Sequence, residues 1–245
     1  MEEGIHIALA AEQIGTLFGV PITNTLVTAW AVMAILIAVA AWVGLRTREV
    51  PGKAQLLFET TFGFVLDYME ETLESRKLAV RFFPLIMTMF LFVLFSNMLE
   101  FTPGIGSIVI EHGEETVPLF RSVNTDLNMT LALAIISFLV IEVTGVVVLG
   151  FLKYAGKFVN FKSVLGFFIG IIDLFSEIAR LVSFSFRLFG NIFAGEVLIL
   201  IVTFFVPLFL PVPLMLFELF VGFIQAAIFA LLTLFFIKIA ITEPH

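Results

Sequence analysis

The 245-residue chain is 60% hydrophobic and only 13% charged, with a formal net charge of −7. That balance places it among polytopic proteins of the lipid bilayer, and no nucleic acid is expected as a partner. Cysteine is absent and the three histidines, His6, His112 and His245, are scattered, which excludes disulfides, thiolate metal sites and any metal-ligand spacing.

The N-terminus, Met1-Glu2-Glu3-Gly4, is acidic where a secretory signal would be basic, so no cleavable leader is expected. Ile14 to Leu45 carries no charge, and Ile22-Thr23-Asn24 reads as a helix start, giving a first span over Leu26–Leu45. Pro51 to Lys77 interleaves apolar residues with Glu59, Asp67, Glu70, Glu71 and Glu74. That is too much charge to cross a bilayer, and an amphipathic helix lying at the interface is expected. Phe82–Leu99 is the second span and ends before Pro103-Gly104. Leu127–Leu152 is the third, interrupted by Glu142. The apolar pattern then runs from Val164 to Val206, about twice the roughly 20 residues that a perpendicular helix needs. This helix must tilt steeply or lie partly along another protein surface. Pro207-Leu208-Phe209-Leu210-Pro211-Val212-Pro213 breaks it and starts a last helix ending near Ile241. The fold class is therefore an all-α polytopic membrane protein forming one domain, with five transmembrane helices, one interfacial amphipathic helix and a long tilted hairpin at the end.

The cations set its orientation. Arg46, Arg48 and Lys53 follow span one, Arg76, Lys77 and Arg81 precede span two, Lys153, Lys157 and Lys162 follow span three, and Lys238 closes the last helix. The loop between spans two and three instead holds Glu111, Glu114 and Glu115 against the single cation Arg121. Five spans put every basic cluster on one side, so the positive-inside rule sets the N-terminus outside and the C-terminus in the cytoplasm.

Against this apolar ground Arg187 stands out. From Leu181 to Ile237 the other charges are Glu196 and Glu218 alone. An arginine keeps its proton inside a protein, and at a bilayer centre it costs roughly 2.5–3.5 kcal/mol on insertion scales. No acid lies at i±3 or i±4 from Arg187. Glu196, nine residues on, falls about 180° around the helix and roughly 13 Å along it. Asn191 is one turn beyond Arg187 on its own face. Glu218 and Gln225 share a face of the last helix, where Gln225 is placed either to orient the Arg187 guanidinium or to serve as an ordinary interhelical hydrogen bonder. Glu196 and Glu218 suit a proton relay mouth, or an acid pair sharing one proton. Asp173, Glu177 and Arg180 fall at i, i+4 and i+7, either as a functional inner-side cluster or as a local salt-bridged one. Asp126 reads locally as a residue favoured at a helix N-terminus, followed by Asn128. Asn97 and Glu100 read as C-terminal residues of their helix. Glu142, in mid-span, is expected to meet a cation on a helix admitted by Gly145.

Ser183-Phe184-Ser185-Phe186-Arg187-Leu188-Phe189-Gly190-Asn191, followed by Ala194-Gly195-Glu196, resembles the subunit a family of F-type ATP synthases. Phe83-Pro84-Leu85, Phe95-Ser96-Asn97, Thr125-Asp126-Leu127-Asn128-Met129-Thr130 and Gly222-Phe223-Ile224-Gln225-Ala226 support the likeness in family order. The resemblance implies a membrane stator packed against a c-subunit ring, with a b-subunit peripheral stalk and the remaining synthase as partners, in a bacterial inner membrane rather than a thylakoid. It implies that Arg187 faces a carboxylate of the ring. It further implies that Glu196, Glu218, Asn191, Gln225, Asp126 and Asn128 line the proton path. Family members often carry histidine at one of the two positions that are acids here, Glu196 and Glu218. No catalytic activity of the lone chain, no metal and no cofactor is expected, and no Gly-x-x-x-x-Gly-Lys-Ser/Thr phosphate loop occurs. The competing reading is a proton-coupled transporter of an anionic solute, against which stands the lack of a second, related half.

Overall fold

The computed structural model describes residues 11–100, 108–112, 115–158 and 164–242. The acidic N-terminus, Pro103-Gly104, Glu114 and Lys162 lie outside them. A short antiparallel hairpin, β1 (Gln13–Leu17) and β2 (Val20–Thr23), turns through Phe18 and Gly19, both at positive φ, and leads into α1 (Asn24–Leu45). The Thr23 hydroxyl caps α1 by accepting from the Leu26 amide at 3.3 Å, so the expected start signal operates two residues ahead of the expected span.

The interfacial segment forms α2 (Lys53–Leu73), which ends where Glu74 turns left-handed. After Ser75 the chain enters α3 (Arg76–Glu100), longer than its expected span because the basic residues join the helix and Pro84 is accommodated within it. A second hairpin, β3 (Val109–His112) with β4 (Glu115–Pro118), and a 3-10 turn over Val123–Thr125 precede α4 (Leu127–Leu149). The third span was expected to reach Leu152. It stops earlier because Gly150 adopts φ +84° and redirects the chain into a separate short helix, α5 (Phe151–Phe158). The hairpin is α6 (Val164–Phe205, 42 residues) and α7 (Pro211–Ile241), the latter started by proline in its first turn. At 1.5 Å per residue α6 is about 63 Å long, roughly double the 30 Å hydrocarbon layer. Helices α1, α3, α4, α6 and α7 are the five long and apolar enough to cross a membrane among the described residues.

Lipid is as apolar as leucine, so helices associate in a bilayer through close packing and interhelical hydrogen bonds. Helix α7 is the axis of both cores. At one end Met69 and Leu73 of α2, Ala79, Phe82 and Ile86 of α3, and Ile141 of α4 pack on Ala230, Leu234, Ile237 and Ala240. In mid-bundle Met89, Val93, Ala134, Phe184, Leu188 and Ile192 surround Ala226 and Phe229. Polar pairs set the register: Thr130 with Ser185 at 3.2 Å, Thr233 to Ser137 at 3.4 Å, and the Asn97 amide to the Gly222 carbonyl at 2.9 Å.

Two features tie the basic end. Lys238 of α7 pairs with Glu74 at 3.0 Å. Tyr154 of α5, 5% exposed, lays its ring over Gly145, where a Cβ would overlap it. Overpacking of this kind typically costs about 1–3 kcal/mol. Gly145→Val is therefore expected to lower the thermal midpoint of the detergent-solubilised protein. Gly44→Ala, whose new methyl meets nothing within 4 Å, is expected to leave it unchanged.

Candidate functional site

Arg187 lies near the middle of α6, half-buried, on a stripe of the helix that the rest of the chain leaves open. Ser176, Ala179, Ser183, Asn191 and Ala194 on that stripe are exposed, and the Cβ position of Gly190 meets nothing. Positions three or four apart share a helix face, so the cation is flanked above and below by small side chains. The Arg187 guanidinium donates to Ser183 Oγ at 3.2 Å, and the Asn191 amide donates to the Arg187 carbonyl at 2.8 Å. No ion pair to Arg187 occurs among the described residues. Nor does a hydrogen bond join it to Gln225, which is buried on α7, so Gln225 does not orient the guanidinium here. A cavity of about 320 Å³ opens beside it, lined by Ser176, Ala179, Arg180, Ser183, Phe184, Arg187 and Phe236.

The carboxylates sit elsewhere. At the hairpin end Glu196 Oε2 lies 4.0 Å from Arg121 Nη2, and the Arg121 side chain is only 9% exposed. Glu218, also buried, rests its carboxyl directly on Gly195, where any Cβ would collide with it. Glu100, at the end of α3, is close enough to Glu196, Glu218 and Arg121 to feel all three charges. It is thus part of this cluster and not only a helix terminus. Next to it Asn97 accepts from the Asn124 amide at 2.6 Å while donating to Gly222. Ser96 Oγ, Glu100 Oε2, Ser122 Oγ, Asn124 Oδ1, Glu196 Oε2 and Glu218 Oε1 are buried without a hydrogen bond among the described residues. Buried polar oxygens of this kind normally find partners, and six together make a polar lining inside an apolar bundle.

Asp126 is 4% exposed, and its oxygens accept from one backbone amide and two side chains. Oδ1 accepts from the Asn128 amide nitrogen at 2.9 Å and from its side chain at 3.1 Å, and Oδ2 accepts from the Thr25 hydroxyl at 2.9 Å. Asp126 is thus the N-cap of α4, the helix N-terminal position its local reading expected; its strut to α1 was not expected, and Asn128 is held within the cap. Of the inner-side trio, Glu177 and Arg180 pair at 2.6 Å, and Lys157 of α5 reaches the other Glu177 oxygen at 3.2 Å. Asp173 forms no ion pair among the described residues.

Glu142 departs from expectation. Its neighbour is no cation: Tyr154 OH donates to Glu142 Oε2 at 3.0 Å. Burial, then the adjacent Glu142 charge, push the phenol still higher above its ordinary range, so it stays a donor at any physiological pH. The aromatic of α5 reaches Glu142 Oε2 because Gly145 leaves room for the ring, while Oε1 is buried with no hydrogen bond among the described residues. Sequence reasoning missed Arg121 and Glu100 as cluster members. The available signal was that Arg121 is the one cation in an acidic loop.

Five apolar spans, a permanent cation on an open helix face and a separate carboxylate cluster define an ion-conducting membrane protein. The family model described as ATP synthase A chain matches residues 26–238. The chain belongs to that family, whose members are components of the ATP synthase complex. It is 33% identical to "ATP synthase subunit a, sodium ion specific" of Propionigenium modestum, across 100% of this chain and 83% of the relative. It is 36% identical to "ATP synthase subunit a 1" of Syntrophotalea carbinolica, across 89% and 85%. A subunit a of Campylobacter jejuni is 33% identical across 82% and 83%. Family membership sets the solute-transporter reading aside.

Asn97→Leu removes the acceptor of the Asn124 amide and the donor to Gly222 together. Each orphaned buried group costs about 1–3 kcal/mol. The variant is expected to show a lower thermal midpoint in detergent and faster proteolysis, with Asn97→Gln intermediate.

Proposed function

We propose that this chain is the stator subunit that carries protons past the rotor of an F-type ATP synthase, with Arg187 as the fixed charge facing a moving carboxylate. The observation that carries the reading is the position of Arg187: on an open stripe of small side chains, with no carboxylate of the described residues paired to it. A buried guanidinium without a counterion is costly. A ring of c subunits, each presenting one carboxyl to this stripe, supplies that counterion from outside the chain.

The chemistry follows from the two environments. Within lipid a ring carboxyl is stable protonated; beside Arg187 it is stable ionised. A carboxyl arriving at this sector releases its proton toward the basic end, where the cavity beside Arg187 is lined by Ser176, with Asp173 one turn further along α6. The resulting carboxylate passes Arg187 and takes a proton from the hairpin end, where Glu196, Glu218 and Glu100 gather around Arg121. Arg187 keeps the two routes from joining, because a proton has no acceptor on a guanidinium. Each elementary charge that falls through the membrane potential yields about 2.3 kcal/mol per 100 mV, which biases the direction of turning. Asn191 and Gln225 add polar lining near Arg187. Asp126 and Asn128 support the hairpin-end route by holding α4 against α1.

In this reading the hairpin end faces outward and the basic end lies in the cytoplasm of a bacterium, in its cell membrane. The peripheral stalk b subunits join the complex with the c ring. Sodium is the second reading for the coupling ion, because the Propionigenium modestum relative is described as sodium ion specific.

Membrane vesicles carrying the complex test both points. Arg187→Ala is expected to abolish proton-driven ATP synthesis while the complex still copurifies; retained coupled synthesis refutes the role. Glu196→Gln is expected to slow proton flux more than it reduces assembly, and unchanged flux moves the entry role to Glu218. Synthesis driven by a pH step in sodium-free buffer is expected to proceed. A strict sodium requirement replaces protons with sodium and leaves Arg187 in place.

A further inference from the structure

The short helix α5 carries two side chains that leave its turn in different directions. Tyr154 docks on α4 through Glu142 and Gly145, and Lys157, three residues on, reaches Glu177 of α6 at 3.2 Å. Glu177 is 5% exposed at its side chain, and its second oxygen takes Arg180 at 2.6 Å. Arg180 in turn lies flat over Phe236 of α7, 3.9 Å from the ring centroid. Arg180 and Phe236 are both walls of the cavity that contains Arg187. Four elements, α5, α6, α7 and by way of Tyr154 also α4, thus converge on the placement of one guanidinium.

We infer that Lys157 and Glu177 are positioning residues that hold Arg180 against the cavity wall and so keep the route between Arg187 and the basic end clear. The inference rests on the proposed reading of Arg187 and concerns a different cation. Arg187 and Arg180 are seven residues apart, two turns on one face and roughly 10 Å along the axis. Arg180 has no ion-pair partner but Glu177 among the described residues. A guanidinium in low dielectric that loses its only counterion is strongly drawn to the next carboxylate it can reach. Within the cavity that Arg180 and Arg187 both line, where no lining residue is an acid, that is the mobile carboxylate held at Arg187. Arg180 released into the cavity competes for that carboxylate and occupies the space through which its proton departs.

Both Glu177 oxygens are taken by cations, which suits a clamp and not a proton carrier. Asp173, one turn nearer the basic end, remains available for that work. Lys157 divides Glu177 between two cations while α5 anchors it to α4, so the carboxylate is fixed from outside its own helix. A lone i, i+3 pair within α6 has no such anchor.

The test uses inverted membrane vesicles containing the whole complex, with ATP-driven proton pumping followed by a pH dye and assembly measured by copurification. Glu177→Gln is expected to slow pumping by about tenfold, the effect of a modest rise in barrier. The double variant Glu177→Gln with Arg180→Gln is expected to recover most of the lost rate, because the intruding cation is gone. Lys157→Met is expected to slow pumping less, and Lys157→Arg to restore it. Pumping at the normal rate in Glu177→Gln, or a double variant as slow as the single, overturns the inference. If Glu177→Gln does not assemble, Lys157→Met carries the test, since it keeps the Glu177–Arg180 pair; no slowing there, or slowing that Arg180→Gln fails to relieve, overturns it equally. Arg187→Ala measured in parallel separates the two ideas. Abolished pumping there with a normal Glu177→Gln rejects the clamp alone, whereas retained coupling in Arg187→Ala rejects the underlying reading.

Discussion

An arginine that cannot shed its proton, set in hydrocarbon without a fixed counterion, is the constraint around which this molecule is organised. Among the described residues the guanidinium of Arg187 has one side-chain partner, the neutral Ser183 hydroxyl, and hydrogen bonding to a neutral group does not discharge it. The stripe around it is built of serine, alanine, glycine and asparagine, which permits another helix to approach closely. In the proposed function, a charge that is costly in isolation becomes useful because its partner is a carboxylate that arrives, ionises and moves on.

The remaining charges are arranged so that they leave this position alone. Glu196 points away from Arg187 around α6 and meets Arg121, whose backbone amide donates a hydrogen bond to the Thr28 hydroxyl at 3.1 Å and so ties the loop before α4 to α1. Glu218 lies in the same region with its carboxyl resting on Gly195, where a Cβ would collide with it. Glu177, the nearest acidic residue along α6 toward the basic end, is occupied by Lys157 and Arg180. Helix α7 makes this separation possible. Its alanines and glycine let α3, α4 and α6 close around it, and its contacts with Asn97, Ser137 and Phe184 fix how far each slides.

Much of this was legible in the sequence because membrane spans are written in long apolar runs. Thr23 marked the start of α1, the Pro207–Pro213 stretch marked the hairpin turn, and the cations marked the ends. What was not legible came from short-range backbone choices and long-range neighbours. Gly150 ends α4 only because it takes a positive φ, which a run of apolar residues does not reveal. The two β-hairpins are short and carry no alternating pattern strong enough to announce them. Glu100 and Arg121 are 21 residues apart in sequence and belong with Glu196 and Glu218 only after α3, α6 and α7 have packed. Glu142 was paired wrongly in expectation because its partner, Tyr154, lies beyond the expected end of the span at Leu152, on a short helix that the apolar pattern does not announce. Arg187 was fully legible: it needed no fold to be conspicuous, only a fold to show that the described chain provides no counterion.

The decisive measurement is an experimental structure of the assembled complex in lipid, at a resolution that shows side chains. The account predicts one carboxylate of a separate, multicopy membrane subunit within about 4–6 Å of the Arg187 guanidinium, the range over which an opposite charge favours ionisation. The other copies of that carboxylate face lipid. A carboxylate from a stationary chain paired to Arg187, or lipid alone against the α6 stripe, contradicts it.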